Sequence, residues 1–178
     1  MDQQLRTIIF FLAGIAAALI LVAIFKWRIR KMPMSVAEKA EYLSRRRARM
    51  LPFLAVIFLT QQASYFTQSS ATAVRAVDTV KISAWLVLSV IIVAALATKG
   101  FWLETKEVRE LVDDENTRAN RLEGMRWGFL FAMGAGVVIY FLTMFEPVSA
   151  REAVHITMSA GIVAALVRWG VLERRAHA

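Results

Sequence analysis

The chain has 178 residues, of which 58% are apolar, and its mean hydropathy is +0.51. A water-soluble fold of this length cannot bury so much apolar surface, so the composition predicts that a lipid bilayer surrounds much of the protein. The net charge of +8 comes from Lys and Arg beside apolar segments, which indicates lipid head groups and not nucleic acid as the partner. The lack of cysteine excludes disulfides, thiolate nucleophiles and cysteine metal sites.

Five apolar segments of 17 to 19 residues predict five transmembrane helices. They cover residues 7–25, 51–69, 82–98, 127–145 and 154–172. At about 1.5 Å of rise per residue, each comes close to the roughly 30 Å of a bilayer's hydrocarbon core. We therefore predict an all-α integral membrane helical bundle, built as a single membrane domain over residues 1–178.

Lys and Arg are distributed unequally between the two sides of these spans. Residues 26–50, 99–126 and 168–175 hold nine, six and three of the 22 basic residues, whereas the opposite side holds four. Because cytoplasmic segments retain Lys and Arg, the pattern predicts an N-terminus outside, a C-terminus in the cytoplasm, and cytoplasmic segments at 26–50 and 99–126. The first span is predicted to be a retained anchor, since its positive charges follow the apolar run.

Two Ser-x-x-Glu sequences predict helix starts. Glu38 follows Ser35 and Glu152 follows Ser149, and each pair comes shortly after a proline. In such a capping box the Ser hydroxyl and the Glu carboxylate satisfy exposed amide groups. The first box predicts a helix over 36–49 whose arginines reach lipid phosphates or water. The second predicts a tight outer turn that joins the fourth and fifth spans into a helical hairpin.

Polar side chains surround the outer half of the second span. The candidate polar cluster consists of Thr60, Gln61, Gln62, Ser64, Thr67 and Gln68. In hydrocarbon such groups need partners, so this half-helix is predicted either to hydrogen-bond with neighbouring helices or to line a hydrated pathway for a polar or lipid-like ligand.

Apolar residues recur every three, four or seven positions between Glu104 and Arg126, which predicts one amphipathic helix lying on the membrane or on another subunit. Its Asp113, Asp114 and Glu115 are adjacent. Consecutive helical residues point in different directions, so we expect these carboxylates to be solvated and to form local ion pairs, and not to hold a cation.

A stripe of small residues runs along the fourth span at four-residue spacing: Gly124, Gly128, Ala132 and Gly136. This spacing places small side chains on one helix face and allows another helix to approach closely. The partner is predicted to be either another span of the same chain or a second copy of the protein, which would make it a homo-oligomer.

Two spans share a short sequence. Residues 92–96 and residues 162–166 are both Ile-Val-Ala-Ala-Leu, and Gly and Leu-Glu follow each of them. The match predicts one helix followed by two parallel-repeat hairpins, with chance similarity between apolar helices as the alternative.

The stretch from Asp114 to Arg118 has the sequence Asp-Glu-Asn-Thr-Arg and precedes the final predicted hairpin. With this arrangement, roughly the last third of the chain resembles small uncharacterised polytopic bacterial inner-membrane proteins of the domain-of-unknown-function kind. The resemblance implies a bacterial, multi-pass inner-membrane protein. It implies no activity and no functional residues.

Titratable groups are rare in the predicted spans. Asp, Glu and Lys are missing from their central zones, Arg168 is close enough to the inner end to reach the head groups, and His155 and His177 lie near opposite membrane faces. We therefore expect no catalytic residue, no metal site and no cofactor.

These patterns favour a noncatalytic function. We expect an assembly, scaffold or regulatory subunit of the bacterial inner membrane that acts through helix packing and a basic cytoplasmic face. Its expected partners are membrane lipids, including anionic head groups, and another membrane protein or a second copy of the chain. The alternative is a small oligomeric transporter or channel that uses the polar half of the second span.

Overall fold

The computed structural model describes residues 34–68, 76–98 and 105–176, except for the side chains of residues 63–68 and 76–83, together with seven helical positions between residues 9 and 27. The predicted span 7–25 therefore lies almost entirely outside the described residues. The helices with defined bounds are α1 (Val36–Gln68), α2 (Ala76–Ala97), α3 (Lys106–Val112), α4 (Glu115–Leu142) and α5 (Ala150–Ala176). Every regular element in the described part is helical, which confirms the all-α prediction.

Two of the described helices are long and apolar enough to cross a membrane. They are α4, with 28 residues, and α5, with 27 residues, and α2 adds a shorter apolar stretch at Ala84–Ala97. In α4 only 11% of the apolar stretch is buried within the protein, against 39% in α5. Helix α4 therefore lies at the edge of the bundle and presents most of its apolar surface outwards.

Helix α5 packs against α1, α2 and α4 and forms the centre of the bundle. The main core lies where α1, α2 and α5 meet. Its buried members are Leu51, Ala55, Phe58, Trp85, Ile92, Leu96, Ile162, Ala165, Leu166 and Trp169. A smaller core of Ala40, Leu43, Val108 and Val112 joins the first half of α1 to α3.

Helix α1 runs without a break through Pro52, so the predicted helix 36–49 and the predicted span from residue 51 are parts of one helix. A proline has no amide hydrogen and leaves the carbonyl four residues earlier without its helical partner. Here that carbonyl belongs to Ala48, and the Arg174 side chain of α5 donates to it through Nε at 3.3 Å.

The same crossing explains a glycine. A Cβ atom added to Gly170 of α5 would lie 2.9 Å from the Pro52 ring and 3.2 Å from Leu51 Cβ. The absence of a side chain therefore allows α5 to approach the proline closely enough for its next turn to satisfy the free carbonyl.

The predicted single helix over 104–126 is wrong, because the helix breaks at Asp113 and Asp114. Asp113 ends α3, and Asp114 begins α4 by accepting a hydrogen bond from the Thr117 amide at 2.7 Å. Aspartate is a strong N-cap because its side chain pairs with an otherwise exposed amide, and this local bond competes with helix continuation.

Both predicted capping boxes are confirmed. Ser35 and Glu38 exchange hydrogen bonds at the start of α1, and Ser149 and Glu152 do the same at the start of α5. The backbone and hydroxyl donors of Ser35 lower the pKa of Glu38 below its usual 4.5. The short connection 143–149 ends at Ser149, the first residue of the second box, and turns the chain so that α4 and α5 form a hairpin.

Candidate functional site

One guanidinium joins four helices at the end of the bundle where α4 begins and α5 ends. Arg47 of α1 forms an ion pair with Glu173 of α5 at 2.8 Å and donates to Thr117 Oγ1 of α4 at 2.8 Å. It also donates to the last carbonyl of α3, that of Val112, at 3.4 Å. We call Arg47, Thr117, Trp169 and Glu173 the charge cluster.

The carboxylate of the charge cluster is fully paired. Glu173 Oε2 accepts from Arg47, and Glu173 Oε1 accepts from Trp169 Nε1 at 3.0 Å. The Arg47 guanidinium also lies 5.5 Å from the centre of the Trp169 ring, within the range of a cation–π contact. Each group in the cluster therefore orients at least one other.

A second ion pair lies beside the charge cluster. Asp113 contacts Arg121 at 3.1 Å, and Arg121 also donates to the Thr98 carbonyl at the end of α2 at 3.2 Å. Asp113 is 6% exposed. The prediction of local ion pairs in this stretch is confirmed for Asp113. The prediction that this carboxylate is solvated is wrong, because the break between α3 and α4 turns it inwards toward Arg121.

Both pairs are withdrawn from water. The side chains of Arg47 and Glu173 are 8% and 2% exposed, and those of Arg121 and Asp113 are 10% and 1% exposed. Burial of charge costs much free energy unless the charges meet with good geometry and further hydrogen bonds. The expectation that Arg47 reaches lipid phosphates is wrong, because its guanidinium is used inside the bundle.

The predicted polar cluster is only partly described. Ser64, Thr67 and Gln68 belong to α1, but their side chains lie outside the described residues. The Thr60 hydroxyl donates to the Val56 carbonyl of its own helix at 2.9 Å. Gln62 forms an interhelical bond, since its Oε1 accepts from Ser159 Oγ of α5 at 2.8 Å.

Several buried polar atoms near this bond have no hydrogen-bond partner among the described residues. They are Gln61 Oε1, Gln62 Nε2 and Trp85 Nε1. The Trp85 ring packs on His155, one helical turn before Ser159, with the ring centres 3.9 Å apart. This part of the interior therefore combines one interhelical hydrogen bond with polar atoms that could accept further partners.

The small-residue stripe faces α5 along part of its length. A Cβ added to Gly128 would lie 2.7 Å from the Gly161 carbonyl oxygen and 2.8 Å from Ala165 Cβ. A Cβ on Gly124 would lie 2.9 Å from Trp169 Cβ, and Ala132 Cβ would lie 3.0 Å from a Cβ on Gly161.

Gly136, the last member of the stripe, differs from the others. Apart from the neighbouring backbone of its own helix, no described atom lies within 4 Å of a Cβ added there. The described contact of the stripe with α5 is thus internal to one chain and ends before Gly136.

An apolar groove of about 620 Å³ runs along α5 between α1 and α4. Gln62 and Ser159 line one end, and Trp127 and Arg168 line the other. Val and Ala side chains of α5 form most of the wall between these ends. The groove is a place beside the two ion pairs where a molecule could bind.

Sequence analysis missed three contributors to the interior. Arg47 continues the buried stripe of Ala40, Leu43 and Leu51, and Glu173 lies one turn beyond buried Trp169. Gly161 has the four-residue spacing to Ala165 that also characterises the stripe on α4. Arg47 and Glu173 therefore each lie on an apolar helix face, and this position is the sequence pattern from which their burial could have been predicted.

Among the described residues, no group of three or more His, Asp or Glu is placed to hold a metal ion. No protein-family model matches the chain, and neither the curated proteins nor the solved structures contain a match. The function must therefore be argued from the charge cluster, the polar atoms and the groove.

Proposed function

We propose that this protein is a noncatalytic assembly, scaffold or regulatory subunit of the bacterial inner membrane. It crosses the membrane five times, with its N-terminus outside and its C-terminus in the cytoplasm. It acts through helix packing and through the basic face at its cytoplasmic end.

The observation that carries this proposal is the charge cluster. A guanidinium on α1, a hydroxyl on α4 and a carboxylate on α5 form one buried unit in which each contact of the guanidinium joins α1 to another helix. Such a unit fixes the relative positions of the helices and has no oriented nucleophile or open coordination position. Its chemistry therefore supports a rigid platform.

Basic side chains surround this platform on its outer surface. Arg45, Arg49, Arg174 and Arg175 are all exposed, and they lie on the same end of the bundle as the charge cluster. Exposed arginines can contact the phosphates of lipids or the carboxylates of a partner protein. The platform thus holds a basic surface in a fixed arrangement.

Alkaline phosphatase fusions test the topology, because that enzyme needs the oxidising outer compartment for its disulfides. We expect a fusion after Ala150 to be active and one after Asn116 to be inactive, since these positions lie on either side of the apolar stretch of α4. Activity after Asn116 would contradict the proposed orientation.

Copurification from mild detergent tests the subunit function. We expect a stoichiometric membrane-protein partner that is lost when Arg45 and Arg49 are both changed to Glu, with only a small loss of thermal stability from the exposed pair of Arg45 with Glu41. The matched control is Lys106→Glu, which also reverses an exposed basic charge. Retention of the partner by the arginine variant would contradict action through the basic face.

A small oligomeric transporter or channel is the second candidate. It is favoured by buried atoms of Gln61, Gln62 and Trp85 that have no partner among the described residues, because polar atoms in an apolar interior are stable when water or a polar solute reaches them. Replacement of Gln61 and Gln62 by Leu would then change solute flux in proteoliposomes without loss of stability. In the subunit proposal the same change lowers stability, because Ser159 loses its acceptor.

A further inference from the structure

The groove along α5 has two chemically different ends and an apolar body. It extends along α5 from Ile156 to Val171, a rise of about 22 Å at 1.5 Å per residue. One leaflet of a bilayer has a hydrocarbon thickness of roughly 15 Å, half of the roughly 30 Å core. The groove is therefore long enough for most of an acyl chain.

Arg168 gives one end of the groove an incompletely paired positive charge. Its NH2 group lies 3.4 Å from Glu123 Oε1, longer than the 2.7 to 2.9 Å that is usual for such pairs. That carboxylate oxygen already accepts from Trp127 Nε1 at 2.8 Å. The Nε atom of Arg168 has no hydrogen-bond partner among the described residues.

The surroundings of Arg168 match the membrane–water interface. Its guanidinium lies 5.6 Å from the centre of the Trp127 ring, and tryptophan is enriched at the level of the lipid head groups. The side chain is 35% exposed, so a group arriving from outside can reach its exposed part, whereas Nε itself is buried. Arginine binds phosphate with two parallel hydrogen bonds, for which its spare donors are suited.

The other end carries no charge. Ser159 and Gln62 are hydrogen-bonded to each other, and the wall between them and Arg168 is apolar. A sugar or nucleotide would lose its hydration there without gaining polar contacts. The complementary ligand has one anionic group and a long apolar body.

We propose that the groove binds an anionic membrane lipid, with its phosphate on Arg168 and one acyl chain along α5 toward Ser159. The lipid is drawn from the cytoplasmic leaflet. This inference rests on the proposed membrane location of α4 and α5, and it adds a specific lipid site to that proposal.

Native mass spectrometry of the purified, delipidated protein tests the site. Phosphatidylglycerol, which is anionic, and phosphatidylcholine, which is neutral overall, are added separately. We expect one phosphatidylglycerol to bind preferentially. Arg168→Gln should weaken this binding at least about tenfold, since it removes a charged donor to phosphate. The matched control is Arg126→Gln, which removes a 75% exposed arginine near the same membrane depth and should leave the affinity unchanged.

A second variant keeps the test independent of the contact between Arg168 and Glu123. Ala164→Phe narrows the groove while all charges remain, and it should weaken binding of phosphatidylglycerol. The thermal stability of each variant is measured in parallel. Normal binding by a folded Ala164→Phe variant would overturn the proposed path of the acyl chain.

Two further outcomes would overturn the lipid site. Equal losses from Arg168→Gln and Arg126→Gln would show surface attraction only, and displacement of the lipid by an equal concentration of glycerol phosphate would show a phosphate site without an acyl chain. A protein found in the membrane fraction but without lipid selectivity would refute this inference alone. A protein outside the membrane fraction would refute the proposed function as well.

Discussion

Replacement of Glu173 by Gln removes the negative charge of the charge cluster while keeping the size of the side chain. The amide oxygen can still accept from Trp169 Nε1, so the loss falls on the 2.8 Å contact with Arg47. Both side chains of that pair are less than 10% exposed, and the variant therefore leaves a buried positive charge without its carboxylate. Removal of one partner from a buried pair costs about 3 to 5 kcal/mol. We expect the lower end of this range, because Thr117 and Val112 still accept from the guanidinium.

The matched control is the exposed pair of Glu41 and Arg45 on α1, whose side chains are 58% and 62% exposed. For Glu41→Gln we expect a loss of about 0.3 to 0.5 kcal/mol, as is usual for such pairs on a helix surface. Unfolding in mild detergent, followed by tryptophan fluorescence, measures both changes.

The double variant Arg47→Met with Glu173→Gln completes the test. It leaves no uncompensated charge, so its loss should be smaller than the sum of the two single losses by about 1 to 3 kcal/mol. Equal effects of Glu173→Gln and Glu41→Gln would refute the reasoning. Strict additivity in the double variant would refute it too.

Three further outcomes follow from the helix contacts. Gly128→Leu should destabilise the protein by about 1 to 3 kcal/mol, because the new Cβ would lie 2.7 Å from a carbonyl oxygen of α5. Phe129→Leu, at a 65% exposed position, should change the stability by no more than about 0.5 kcal/mol, and equal thermal shifts in the two variants would contradict the close contact. Carboxyl NMR should give Glu38 a pKa below 4.5 that rises in Ser35→Ala, and a pKa unaffected by this change would be contrary evidence. Because folding lowers the pKa, the capping box stabilises the protein above about pH 4.5, and this stabilisation is lost as the pH falls through the pKa of the folded state. Arg174→Gln should lower the stability measured by thermal unfolding by about 1 to 2 kcal/mol, because the Ala48 carbonyl, which Pro52 leaves without its helical partner, loses a charged donor. The control Arg175→Gln should have little effect.

Local signals predicted the parts of the fold that depend on neighbouring residues. The two capping boxes were found because a hydroxyl and a carboxylate three residues apart are sufficient for the interaction. The apolar stretches of α4 and α5 were found because their length and composition determine that they can cross a membrane.

Long-range contacts were not predictable from the same signals. The sequence around Pro52 indicated a boundary, but the helix continues because Arg174, far along the chain, supplies a donor to the carbonyl of Ala48. Adjacent acidic residues indicated a solvated stretch, but one of them, Asp113, is turned inwards toward Arg121. The partner in the first case lies 126 residues along the chain, whereas Arg121 lies only eight residues from Asp113 and faces it because the helix breaks between α3 and α4.

The small-residue stripe lies between these two cases. Its spacing identified a close-packing face on α4, but the sequence could not choose between another span and a second copy as the partner. That choice depends on where Gly161 is placed by the hairpin turn. The five-span topology and the parallel repeat remain predictions.

The ion pair of Arg47 and Glu173 also constrains the order of assembly. The two residues are 126 positions apart, so at about 5 to 20 residues per second the arginine leaves the ribosome roughly 6 to 25 s before its carboxylate. During this interval the basic start of α1 is hydrated, because an unpaired guanidinium is unstable in an apolar interior. Docking of α1 therefore waits for α5, and until then the basic start of α1 in the nascent protein is accessible to chaperones and proteases.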